Sequence, residues 1–428
     1  MVKRSVMEVF SKDRCNIKDG VGYVFFDEAG DLTQVRVKET LDQLAVRFCR
    51  KVYVVIGDGV TKIGDNAFRN RLNLYSVYIS NSVTTIGKFA FHFCQNLVEI
   101  ELSDNITEIA EGTFLGCKSI KAIYIPEKVS YIDRTAFNFC QGLETIIVDR
   151  YNKAYKAIGG NLYTRDKKML VLYATGKKDI SFAVPDGVEK INDFAFFRGG
   201  NLKEILLPPG LLSIGASAFS DCRDLECIEL PEGVEEIGMG AFSMCGKLAS
   251  IRVPASVTAI GNGAFSSCEL LECVIIDEGN KSYKTIDGSL YTKDGKTFVQ
   301  YFGKKTSFLI PEGVQTIGGG AFYCCKNLVS VKIPKGVITI GKEAFSKCEA
   351  LERIELPKGV TSVGEMAFCD CESLEYITIP KSVVNMGKHQ FSYCCLLEIH
   401  AEAKAEPTTW DKEWNCFDRP VIWGYKID

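Results

Sequence analysis

The chain has 428 residues, 46% of them hydrophobic and 25% charged, with a formal net charge of −3. That balance fits an ordinary soluble globular protein, with no basic footprint for nucleic acid and no acidic surface for a basic partner. No run approaches about 18 consecutive apolar residues, and the N-terminus lacks the apolar stretch of a secretory signal, so neither membrane insertion nor export is expected from these residues.

In chain order, residues 1–50 read as an N-terminal cap. "IKDGVGYVFFD" (17–27) suggests a strand, a turn and a strand, and "ETLDQLAVRFC" (39–49) a short helical piece. From residue 51 the chain is periodic. Phenylalanine recurs at Phe68, Phe91, Phe114 and Phe137, at Phe196, Phe219, Phe242 and Phe265, and at Phe322, Phe345, Phe368 and Phe391. The spacing is 23 residues inside each group of four, and 59 and 57 between groups.

One unit runs "LVSVKIPKGVITIGKEAFSKCEA", from Leu328 to Ala350. Leu328, Val331 and Ile333 alternate as in a short strand that Pro334 closes. Val337 and Ile340 form a second apolar pair. Phe345 and Cys348 sit three apart, as on one face of a tight helical turn. The position four before each phenylalanine is glycine except at Ala110, Asp133 and Asn192, which suggests a left-handed backbone there and strain at Ala110.

A 23-residue unit cannot bury its own apolar face, whereas stacked units cover one another. The expected fold is therefore a β-rich α/β solenoid. It would be a curved, right-handed superhelix of twelve 23-residue repeats in three blocks of four. The blocks are 51–148, 185–276 and 311–400. Between them lie inserts at 149–184 and 277–310, which share "LYTRDKKMLVLY" and "LYTKDGKTFVQY" and read as β-hairpins. Residues 401–428 hold all three tryptophans and read as a cap over the open apolar end.

The repeat consensus, L-x-x-I-x-I-P-x-x-V-x-x-I-G-x-x-A-F-x-x-C, resembles the BspA-like (Treponema pallidum-type) class of bacterial leucine-rich repeats over about residues 52 to 400. The closing "EPTTWDKEWNCFDRPVIWGY" is also similar to the end of many such proteins. The resemblance implies a non-enzymatic interaction scaffold. It would be secreted or held at the cell surface, where relatives include adhesins that bind host matrix proteins. The alternative is an intracellular repeat protein without a dedicated ligand, which the missing signal and the many thiols favour. A monomer with a protein or glycan partner is expected, and no cofactor.

Eighteen cysteines raise the question of disulfides or metal. Ten of them recur three residues after a ladder phenylalanine such as Phe91: Cys94, Cys117, Cys140, Cys222, Cys245, Cys268, Cys325, Cys348, Cys371 and Cys394. A residue needed once per coil at one place is a packing residue, so a ladder of reduced structural thiols is expected. A zinc site from Cys369, Cys371, Cys394 and Cys395 is the sharpest alternative. Only His92, His389 and His400 are present, and none is placed by sequence with a nucleophile and a carboxylate. The strand residue between two buried positions should face outward on the concave side. This nominates Tyr78, Glu101, Tyr124, Leu206, Glu229, Arg252, Lys332 and Glu355 as binding residues. Ile147 and Ile275 occupy the same column, where the hairpins are expected to cover them.

Overall fold

Strands of three to six residues that alternate apolar and polar side chains can bury one face only if a neighbour stacks on them. The computed structural model describes residues 15–43 and 48–426, which fold as a β-solenoid in two compact units, Met1–Leu202 and Lys203–Asp428. In the first unit, Val21–Phe26 pairs antiparallel with Cys15–Lys18 and parallel with Lys51–Ile56. Parallel pairing continues to Leu74–Ile79 and Glu99–Glu101. In the second unit one parallel sheet steps through Ser307–Leu309, Ser330–Lys332, Arg353–Glu355, Tyr376–Ile379, Glu398–Ala401 and Val421–Trp423. A parallel ladder of shorter strands accompanies it, through Thr316–Ile317, Thr339–Ile340, Ser362–Val363 and Asn385–Met386. The helix Gln34–Gln43 starts earlier than the expected helical piece. Residues 44–47 of that piece, and residues 1–14 of the cap, lie outside the described residues.

The segment around each phenylalanine is not a helical turn. Residues two before and two after it take left-handed backbone, except Thr135 before Phe137, as Glu343 (φ 55°) and Lys347 (φ 60°) do around Phe345. Left-handed residues at that spacing cannot continue a helix. Instead, alternate N–H groups point to the next coil. Glu343, Phe345 and Lys347 donate to the carbonyls of Glu365, Ala367 and Cys369 at 2.9, 2.8 and 2.8 Å.

The glycine four before each phenylalanine therefore has a different reason from the one expected. None of these glycines, nor Ala110, has a positive φ. They are sites of close approach between coils: a Cβ on Gly364 would lie 2.4 Å from the Lys342 nitrogen, and one on Gly341 2.5 Å from that of Gly319. At Gly64, in the first coil of its block, the nearest atom would be 3.4 Å away.

Along the core the phenylalanine rings stack nearly parallel. Phe68–Phe91 stand at 5.1 Å, Phe219–Phe242 at 5.1 Å and Phe345–Phe368 at 5.5 Å between centroids. Beside them, the thiols of Cys94, Cys117, Cys140, Cys245, Cys268, Cys348, Cys371 and Cys394 each donate to the carbonyl of the previous coil's phenylalanine, at 3.0–3.2 Å. Arg71 and Gly199 stand in place of the cysteine in the first coil of a block, where no phenylalanine repeat comes immediately before. Cys325 also opens a block, and it departs from the ladder: it is half-buried and bonds no carbonyl.

Each insert is a three-stranded antiparallel meander rather than a simple hairpin. The first comprises Tyr155–Ile158, Asn161–Thr164 and Met169–Leu172, and the second Tyr283–Ile286, Ser289–Thr292 and Thr297–Gln300. Both are fastened to the repeats by a buried asparagine. Asn152 Nδ2 donates to the carbonyls of Pro126 and Val129 at 2.7 and 2.9 Å, while its oxygen accepts from the N–H groups of Ala154 and Tyr155. Asn280 repeats this with Pro254, Val257, Ser282 and Tyr283. The inserts also continue the aromatic stack, through Tyr173 on Phe196 at 5.1 Å and Phe298 on Phe322 at 4.8 Å. At the C-terminal end, the edge of Trp414 meets Phe391 at 6.0 Å, and Trp410 Nε1 donates to the Val383 carbonyl at 3.0 Å.

Two outcomes follow for stability. Gly364→Ala should lower the midpoint of chemical denaturation, by about 1–3 kcal/mol for an overpacked contact, while Gly64→Ala should shift it by less than about 0.5 kcal/mol. Burial pushes the Cys94 and Cys140 thiols up to about 12. An unfolded cysteine ionises near about 8.5, so the stabilisation from keeping these thiols neutral is complete below that pH and is lost as pH rises toward 12. Denaturation measured from pH 8 to 11 should therefore show falling stability. Replacing Cys94 by serine should remove up to about 1.4 kcal/mol per pH unit of that slope.

Candidate functional site

The alternation that buries Ile123 and Ile125 turns Ala122 and Tyr124 outward. Strand register gathers the nominated residues into outer rows. In the first unit Tyr78 stands beside Glu101, and Tyr124 beside Ile147. In the second unit Ile205 pairs with Ile228, which puts Leu206 beside Glu229, and Arg252 stands beside Ile275. Lys332 and Glu355 belong to a further row that begins at Leu309 and continues through Thr378 and His400 to Ile422. Leu309 and Ile422 are exposed ends of that row which the repeat pattern alone did not nominate.

Within the rows the residues differ. Tyr124 is 40% exposed and Leu206 52%. Tyr78 is half-buried, and Thr378 is buried. Ile147 and Ile275 remain 48% and 52% exposed, so the inserts do not cover them as expected; the meanders attach at the asparagine-bearing turns instead. The Tyr124 hydroxyl donates to Asp149 at 2.5 Å, and that bond to a carboxylate holds the phenol up at about 12. Arg252 is bound by Asp277 and, at 3.4 Å, by Glu232, so its charge is largely balanced in place.

The histidines also depart from expectation. His92 is buried: its ring lies 4.4 Å from Phe93 and 5.5 Å from Phe89. Burial, with Arg69 nearby, lowers its pKa. His389 does meet a nucleophile and a carboxylate, which its sequence position hides. Its Nδ1 is 3.3 Å from Cys416 Sγ and its Nε2 3.5 Å from Glu413. Cys416 is exposed, so the trio sits in solvent rather than in an enclosed site. Among the described residues no group of three or more His, Cys, Asp or Glu is arranged to hold a metal ion, and no helix is long and apolar enough to cross a membrane.

The family described as BspA type leucine rich repeat region matches residues 24–168, 175–293 and 295–410 in six copies. The chain belongs to that family. BspA-type repeats form scaffolds rather than enzymes, and leucine-rich repeats typically bind proteins. No curated protein matches the chain. Among solved structures, the pneumococcal vaccine antigen PcpA is similar in fold, with TM-score 0.51 and 16% identity over 86% of this chain and 93% of that one. A leucine-rich repeat protein from Eubacterium ventriosum gives TM-score 0.48 and 24% identity, covering 81% of this chain and 89% of its own. A leucine rich cell surface protein from Faecalibacterium prausnitzii gives 0.39 and 22%, covering 94% and 96%.

An imidazole this close to a thiol can take its proton and raise its reactivity. Iodoacetamide should therefore alkylate Cys416 faster than the exposed Cys227. Replacing His389 by alanine should slow Cys416 by roughly threefold or more without changing Cys227, as read by peptide mass spectrometry.

Proposed function

We propose that this BspA-type chain is a protein-interaction scaffold that engages its partner through the outer rows of its long-strand sheets. The observation that carries the reading is the side-by-side exposure of Tyr124 and Ile147 on one outer row. Large apolar side chains held in register on a rigid sheet lose little entropy on binding, and aromatic groups with a polar tip are frequent anchors in protein interfaces. Leu206, Ile275, Leu309 and Ile422 supply comparable exposed positions in the second unit. Around them Glu101, Glu229, Lys332 and Glu355 give a charged surround that favours register and specificity over affinity.

The partner class we favour is an extracellular matrix protein, with the chain at the cell surface, in line with the adhesins among BspA-like proteins. The test is binding of the purified chain to immobilised matrix proteins and to a glycan array. Tyr124→Ala combined with Ile147→Ala should weaken protein binding by tenfold or more, which corresponds to about 1.4 kcal/mol. Binding only to glycans, no binding, or equal binding by the double variant would overturn the outer-row reading and leave the scaffold without a dedicated ligand.

A further inference from the structure

The two inserts meet the following repeats through equivalent junctions, and only the first is filled. There the rings of Phe139 and Phe197 meet edge to face at 5.0 Å, and the Arg198 guanidinium lies over Phe139 at 4.5 Å. The Gly176 N–H donates to the Leu143 carbonyl at 2.7 Å, so close to the chain that a Cβ on Gly176 would lie 2.4 Å from Gly142. At the second junction the repeat places Ser267 where Phe139 stands, Tyr323 for Phe197 and Cys324 for Arg198. The insert is also shorter at this point, with "YFGKK" in place of "YATGKK". The lost volume leaves an open cleft of about 320 Å³.

The cleft has a distinct chemistry. Phe265, Phe302 and the half-buried Tyr323 give it aromatic walls. Ser267 Oγ is buried there without a hydrogen-bond partner. The Tyr301 hydroxyl is approached by the Lys305 backbone N–H without closing a full hydrogen bond. Buried polar groups ordinarily have partners, so two incomplete ones on residues that line a single cleft point to a polar group that belongs there. Lys304, Lys305 and Lys326 line the exposed side against one carboxylate, that of Glu269. Lys304 and Lys326 also reach Glu272 at 3.3 Å and Glu349 at 2.8 Å; Lys305 pairs with no carboxylate among the described residues.

We propose that this cleft binds a small organic anion with a flat apolar body, of the aromatic carboxylate class. Its volume is at the lower end of ligand pockets, which suits one ring and a short acidic arm. The aromatic walls favour a ring, the charge of Lys305, which no carboxylate pairs among the described residues, favours an anion, and the incompletely bonded hydroxyls can donate to its oxygens. The site is independent of the outer rows.

The test uses the full chain and six probes: benzoate, 3-phenylpropanoate and indole-3-acetate, each against its neutral amide. Binding is followed by ligand-observed NMR and by the rate at which iodoacetamide alkylates Cys324. At least one carboxylate should bind saturably, roughly tenfold or more tighter than its amide, and should protect Cys324 while Cys227 keeps its rate. Ser267→Phe with Cys324→Arg, which rebuilds the filled junction, should abolish binding. Lys305→Gln, an exposed change that leaves folding intact, should weaken the carboxylate and leave the amide unchanged. Failure of all three carboxylates to saturate, equal affinity for acid and amide, or binding indifferent to both variants would overturn the proposal.

Discussion

Everything in this fold follows from one spacing: the distance at which a phenylalanine ring can lie on the ring of the coil before it. At about 5 to 6 Å between centroids, the rings stack while strand backbones at their normal separation of about 4.8 Å still reach one another. Fixing that distance leaves little freedom for the rest of the coil. The glycine four residues earlier has no Cβ because the neighbouring backbone is already in contact. The left-handed residues on either side of the ring aim alternate N–H groups at the next coil. The cysteine three residues later fills the small remaining space and donates to a carbonyl that only a preceding coil can provide.

The inserts show the same constraint from the other side. A meander has no phenylalanine in the ladder register, so each supplies a substitute, Tyr173 or Phe298, from its own strands. Asn152 and Asn280 satisfy the backbone groups that the interruption would otherwise leave open. Continuity of the stack is thus kept at both junctions, while the space beside it is not conserved between them. Phe139 and Arg198 close it once; Ser267 and Cys324 leave it open.

Most of this architecture was legible in the sequence because periodicity reports burial directly. The phenylalanine and cysteine columns, the alternating strands, the inserts and the tryptophan cap could all be placed from spacing. What spacing could not give was the reason for a residue. Glycine serves both positive φ and close approach, and the sequence pattern is identical for the two; the Gly364 contact decided for approach. Cys325 carries the ladder signature without the ladder bond, because the signature does not record what precedes a coil. The outer-row residues were placed by alternation, yet their exposure depends on neighbours several turns away in sequence, as the open faces of Ile147 and Ile275 show. His389 and Cys416 meet across 27 residues for which no motif exists.

The thiol ladder has a bearing on how the chain reaches its folded state. Each cysteine becomes sealed only when its own coil closes onto the preceding one, and growth of a stacked array proceeds coil by coil from wherever it begins. Until then the thiols are ordinary, ionising and oxidising like those of any unfolded chain. In an oxidising compartment the outcome would be a race between stacking and disulfide exchange, with wrongly joined coils as the losing product. Local contacts 23 residues apart close quickly, which shortens the time each thiol spends exposed before the next contact buries it.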